Sequence, residues 1–105
     1  MRIKLQATNF KLTPANEVMV NAKLTEPARK LLKKIDEKAD IVFDVELELI
    51  TKHHRKGQIW RAEAQLNLPG LQNLLRAEAT AESLGQAVNS VKRELLKEIK
   101  KYKHQ

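Results

Sequence analysis

Two adjacent histidines among cations, in the stretch 51–57 (TKHHRKG), are the side chains of this sequence that most invite a chemical role. A metal site is one reading. On an extended strand end, however, His53 and His54 point to opposite sides, and no cysteine or suitably spaced third ligand accompanies them. Neutral imidazoles beside Lys52, Arg55 and Lys56 can instead hydrogen-bond to phosphate or stack on an unpaired base, so these five residues are a candidate RNA contact; a surface loop with no role is the bland alternative. Nucleophilic catalysis finds less support still. Ser83 and Ser90 are the only serines, both fall in the last helical pattern rather than at a strand-to-loop elbow, and neither has an evident His–Asp partnership. The carboxylates belong to strand and helix surfaces, with no sign of a desolvated pair. With only Gly57, Gly70 and Gly85, there is no glycine-rich phosphate loop. The expectation is a binding protein: not an enzyme, and without metal, cofactor or small-molecule substrate.

Charge then indicates what is bound. The 20 Lys and Arg against 13 Asp and Glu give a net charge of +7, which favours a polyanion, either nucleic acid or an acidic membrane surface. Charge alone does not choose between them. Amphipathic helices can lie on anionic lipid, but here the apolar stripes are needed for a core, so no membrane partner is expected. Absence of cysteine fits a reducing, cytoplasmic setting. The first residues never build the apolar run of a leader, and no stretch approaches the roughly 20 apolar residues that span a bilayer. At 105 residues, without repeat, linker or low-complexity segment, one domain over 1–105 is expected.

The elements that must carry these groups follow from periodicity. Residues 2–7 alternate, with Ile3, Leu5 and Ala7 on one face, as a half-buried strand does. Thr13-Pro14 reads as an N-cap followed by proline at the first helical position. Two apolar stripes compete in the helix that follows: Ala15, Val18, Met19 and Ala22, against Val20, Leu24, Ala28, Leu31 and Ile35. Pro27 between them predicts a kink or restart, with Thr25 as a second cap. Period two returns at 40–51 (Phe43, Val45, Leu47, Leu49 inward) and at 58–68 (Trp60, Ala62, Ala64, Leu66, Leu68 inward), with TKHHRKG as the hairpin tip. Pairing Leu49 with Trp60 sets Phe43 opposite Leu66, Leu47 opposite Ala62, and Glu48 opposite Arg61. Pro69-Gly70 ends that strand, residues 74–79 form a fourth, and Thr80 is placed as the cap of a last helix with the stripe Leu84, Val88, Val91, Leu95, Ile99 and Tyr102. The result is an α+β fold, β-α-β-β-β-α, with one four-stranded sheet and two helices on one face.

On that frame the charges segregate. Arg93, Lys97, Lys100 and Lys101 lie away from the apolar stripe of the last helix, with Lys92 and Lys103 on one shoulder and Glu94 and Glu98 on the other. Lys23, Lys30, Lys33 and Lys34 are expected to point away from the stripe of the first helical region, with Arg29 nearby, while Asp44, Glu46 and Glu48 fall on the far side of the sheet. Side by side, the helices would offer one cationic surface to a phosphate backbone. A merely solvated lysine face is the ordinary alternative.

The opening strand with LTPA (residues 12–15) and VNAKL (20–24), the TKHHRKGQIWRAEAQLNLPG hairpin, and LLRAEA leading into ESLGQAVNSVKRELLKEIKKYK together resemble the ribosome hibernation-promoting factors and ribosome-associated inhibitor proteins over nearly the whole chain. The resemblance implies a fold like that of double-stranded-RNA-binding domains. It also implies a translation inhibitor that occupies the messenger and transfer RNA channel of the small ribosomal subunit and keeps idle ribosomes inactive in starvation or stationary phase. The implied partners are the small subunit with its ribosomal RNA, and whole ribosomes. Lys23, Arg29, Lys97 and Lys101 match basic positions of the family; Lys30, Lys33, Lys34, Arg93 and Lys100 are added from facing and charge. Family members commonly carry a tyrosine at the position of Gly85 and continue the helix where Pro27 stands. By the same resemblance the chain is expected to be a short form without a C-terminal dimerisation domain. The rival reading is a general double-stranded or structured RNA-binding domain not specific to ribosomes.

Overall fold

A computed structural model describes residues 1–51, 53 and 57–104. Strands β1 (Arg2–Thr8), β2 (Val42–Leu49), β3 (Trp60–Leu66) and β4 (Leu75–Ala81) form one sheet in the order β1-β2-β3-β4. β1 runs parallel to β2 and the other pairs are antiparallel. The hairpin register is the one that side-chain complementarity predicts: Leu49 faces Trp60, Leu47 faces Ala62, Phe43 faces Leu66, and Glu48 faces Arg61. One face of this sheet is buried by Phe43, Val45, Leu47, Ala62, Ala64, Leu66, Leu75 and Ala77. The small residues are grouped: Ala62 and Ala64 on β3 stand beside Ala79 and Ala77 on β4. They form a shallow lane in which the long helix α4 (Leu84–Lys103) packs closely. Its buried Leu84, Val88, Val91, Leu95 and Ile99 confirm the predicted stripe, and half-buried Tyr102 donates a 2.6 Å hydrogen bond to the Pro69 carbonyl. That bond pins the end of α4 to the turn at Gly70, which takes the positive φ of 87° that glycine tolerates.

The connection from β1 to β2 is helical. α1 (Pro14–Val20) starts at Thr13 as predicted, with a capping box in which Asn16 N–H donates to Thr13 Oγ1 and Thr13 N–H donates to Asn16 Oδ1, both at 3.1 Å. Thr13→Ala removes this box and is expected to cost about 1 kcal/mol, seen as a fall of roughly 5 °C in Tm on thermal unfolding.

One expectation fails beyond it. Thr25 is not a cap: its backbone is helical, and its hydroxyl donates to Asn21 Oδ1 at 2.8 Å. Pro27 does mark a restart, since it stands in the first turn of a new α-helix. The chain passes through a π-helical turn (Asn21–Thr25) into α2 (Glu26–Leu31) and the short α3 (Lys33–Asp36), with Glu26 N–H reaching back to the Asn21 carbonyl. The wider turn accommodates the proline's missing donor without a break. It also explains which stripe is buried. Val20, Leu24, Ala28 and Leu32 are fully buried at four-residue spacing, which drifts by about 40° per step in an α-helix; a π turn rotates less per residue and returns them to one face. Leu31 and Ile35 are half-buried at its margin, whereas Ala15, Val18 and Ala22 are exposed. A second correction concerns α4. Thr80 lies in β4, and Ser83 is the N-cap, accepting from Gln86 N–H at 3.2 Å. Leu74 lies outside β4 and is exposed.

Candidate nucleic-acid interface

Both helical segments lie on the same side of the sheet and touch each other through the π-helical turn, α2 and α4. The cations that the sequence assigns to the two helices therefore share one layer. On α4, Arg93, Lys97, Lys100 and Lys101 line an open hollow with Lys92, Leu96 and His104. Lys97 and Lys100 are exposed and, among the described residues, form no ion pair. Lys101 Nζ lies 3.5 Å from Glu98 Oε1, and Arg93 Nη2 donates to Ser90 Oγ at 3.3 Å. Both contacts are exposed and weak enough to be exchanged for a phosphate. His104 and the apolar floor at Leu96 were not assigned from sequence. His104 falls three residues beyond Lys101 at the end of α4, so extending the helical count to the terminus would have found it.

On the other helical segment Lys30, Lys33 and Lys34 are exposed as expected, and Arg29 is exposed but tied to Glu26 at 3.0 Å. Lys23 departs from expectation. It is half-buried, and its Nζ reaches the start of α4 beside Gly85 instead of pointing away from the packed side. The π-helical turn re-aims it, which the helical periodicity could not reveal. Of the five candidate contact residues at the hairpin tip only His53 is described: it is exposed, with its backbone N–H on Thr51 Oγ1 at 3.1 Å. Lys52, His54, Arg55 and Lys56 lie outside the described residues. Trp60 keeps the inward parity but is half-buried, packed edge-on against Phe10 with ring centroids 5.0 Å apart.

The opposite face of the sheet interleaves carboxylates with arginines and Lys4. Glu46, Glu48, Glu63 and Glu78 surround Arg61, which donates to Glu48 at 2.7 Å, to Glu63 at 3.3 Å and also to Glu46. Arg76 bonds Glu63 and Glu78. The hydrogen bond to Glu48, opposed by desolvation, raises the pKa of Arg61 above its ordinary value. Burial pushes the Glu63 carboxyl up, yet the hydrogen bond from Arg76 and the charges of Arg76 and Arg61 outweigh it and hold the group below its ordinary value. No group of three or more histidine, cysteine or acidic side chains able to hold a metal occurs among the described residues, and no described helix is long and apolar enough to cross a membrane.

The two faces thus differ: the helical layer exposes cations that are unpaired among the described residues, while on the sheet carboxylates and arginines neutralise one another. Over residues 3–105 the sequence matches the family described as sigma 54 modulation protein / S30EA ribosomal protein. The chain belongs to this family. The fold agrees. The N-terminal domain of Thermus thermophilus Protein Y superposes with a TM-score of 0.62 at 27% identity, covering 97% of this chain and 99% of that one. A ribosomal subunit interface protein from Coxiella burnetii superposes with a TM-score of 0.68 at 21% identity over the full length of both chains. No curated protein matches the sequence. Family membership agrees with the resemblance drawn from the sequence motifs and with a ribosome-associated role in hibernation.

Proposed function

We propose that this member of the S30EA family is a cytoplasmic ribosome-binding translation inhibitor. It occupies the messenger and transfer RNA channel of the small subunit and keeps idle ribosomes inactive under stress or in stationary phase. It acts by occupancy, with no reaction and no cofactor. The observation that carries this reading is the segregation of charge: Lys30, Lys33, Lys34, Lys97 and Lys100 are exposed on the helical layer, while Glu46, Glu48, Glu63 and Glu78 occupy the sheet's other face. Such a molecule meets ribosomal RNA helix-side first, because its exposed cations there, unpaired among the described residues, can pair with phosphate, whereas Arg61 and Arg76 of the sheet are engaged by carboxylates. Lys23, Arg29, Arg93 and Lys101 complete the contact, and the hairpin tip with His53 makes a secondary one.

The deciding experiment is sedimentation of the purified protein with small subunits, large subunits and whole ribosomes across a salt series, with duplex RNA as competitor. The expected result is saturable binding to small subunits and whole ribosomes at about one copy each, resistant to the competitor and weakening with salt. Unsaturable binding, or binding that any duplex RNA abolishes equally, would favour a general binder of double-stranded or structured RNA.

A further inference from the structure

Gly85 has no structural reason to be glycine. It sits in the first turn of α4, and it is not one of the residues with positive φ. A Cβ built there would meet one group only, Lys23 Nζ at 3.9 Å, an ordinary contact. Alanine would fit, and glycine is among the poorest helix formers, so the fold loses by having glycine here. What the missing side chain does is leave space above Lys23. That lysine is half-buried in the seam between the π-helical turn and α4, and among the described residues no carboxylate forms an ion pair with it. A lysine held against the start of α4 with no carboxylate paired to it offers its ammonium to an anion that reaches the seam. Half-buried Lys92, which lines the cationic hollow, follows seven residues on along α4, two helical turns away on the same flank.

We propose that the Lys23 ammonium beside Gly85 takes a phosphate of the RNA backbone, and that a side chain at position 85 long and acidic enough to reach it would shut it off. This deepens the proposed function and rests on it. Other lysines of the helical layer take phosphates from solvent-exposed positions; Lys23 takes one at a fixed point in the seam, which sets the register of the RNA on the two helices. The side chain at position 85 thereby controls access to Lys23.

The test uses Gly85→Glu and Gly85→Ala, each alone and with Lys23→Met, read by thermal unfolding and by equilibrium binding to isolated small subunits. Both Gly85 variants should raise Tm, since each replaces a poor helix former and an acid suits the first turn of a helix. Gly85→Ala should bind within about twofold of wild type, whereas Gly85→Glu, with its carboxylate over Lys23, should bind about tenfold more weakly. Stability and affinity then move in opposite directions. With Lys23→Met present, the further loss from Gly85→Glu should shrink to about twofold, because the ammonium it masks is gone. Wild-type affinity for Gly85→Glu, or a tenfold loss that persists undiminished with Lys23→Met, would overturn the proposal while leaving the ribosomal reading intact. Failure of the wild-type protein to bind small subunits would overturn both.

Discussion

Reversing Lys97 and Lys101 together to glutamate is expected to weaken small-subunit binding by at least about a hundredfold at roughly 0.15 M salt, while lowering Tm by only a few degrees. Both side chains are exposed on α4 and line the same hollow, so their loss removes no core contact. Lys101 does pair with Glu98 at 3.5 Å, and it lies in the last turn, where a carboxylate faces the negative end of the helix dipole. Those effects account for the small thermal shift. Binding should respond far more, because two cations that displace counterions become two anions that repel phosphate. The slope of log affinity against log salt should flatten by roughly 1.4 to 1.8, the share of two neutralised phosphates. Full affinity in the reversed protein would move the interface off α4, and unfolding would show that these lysines hold the structure together.

Much of this arrangement is legible in the sequence because it depends on local periodicity. Strand parity fixed which side of the sheet is acidic, and matching large with small and basic with acidic side chains fixed the β2–β3 register to the residue. The stripe of α4 needed only the helical period. Legibility ended where a residue departs from that period. Pro27 signals trouble in the helix, but a break, a kink and a π turn all answer a missing donor, and only tertiary packing of Leu24 and Ala28 selects the last. The direction of Lys23 depends on that choice, so the seam with Gly85 was hidden in turn. At the start of α4, Thr80 and Ser83 are both able caps; pairing with Arg61 keeps Thr80 in the sheet and leaves the role to Ser83.

Removal of the Arg61 side chain is the change expected to harm the fold most from the acidic side. Arg61→Ala should cost about 2–4 kcal/mol at neutral pH, measured by urea unfolding. The Arg61 side chain is only 17% exposed and its guanidinium reaches Glu46, Glu48 and Glu63, so its loss leaves three carboxylates crowded on adjacent strands, with Arg76 able to serve Glu63 alone among them. The effect should depend on pH in a defined direction. Glu63 is held below its ordinary value in the folded protein, so its pairing stabilises the fold above the unfolded value near 4.5 and is lost as pH falls through the lower folded value. In that acid window Glu63 takes up a proton and no longer needs the cation, so the gap between wild type and Arg61→Ala should narrow. A gap of the same size at pH 7 and at pH 3 would assign the loss to packing of the guanidinium stem rather than to charge. At neutral pH the folded fraction of Arg61→Ala should still bind small subunits, since the network faces away from the lysines. The network's value to function is then indirect. It lets the sheet keep a dense set of carboxylates without unfolding, and by engaging Arg61 and Arg76 it leaves the helical layer with the exposed cations on which the proposed function rests.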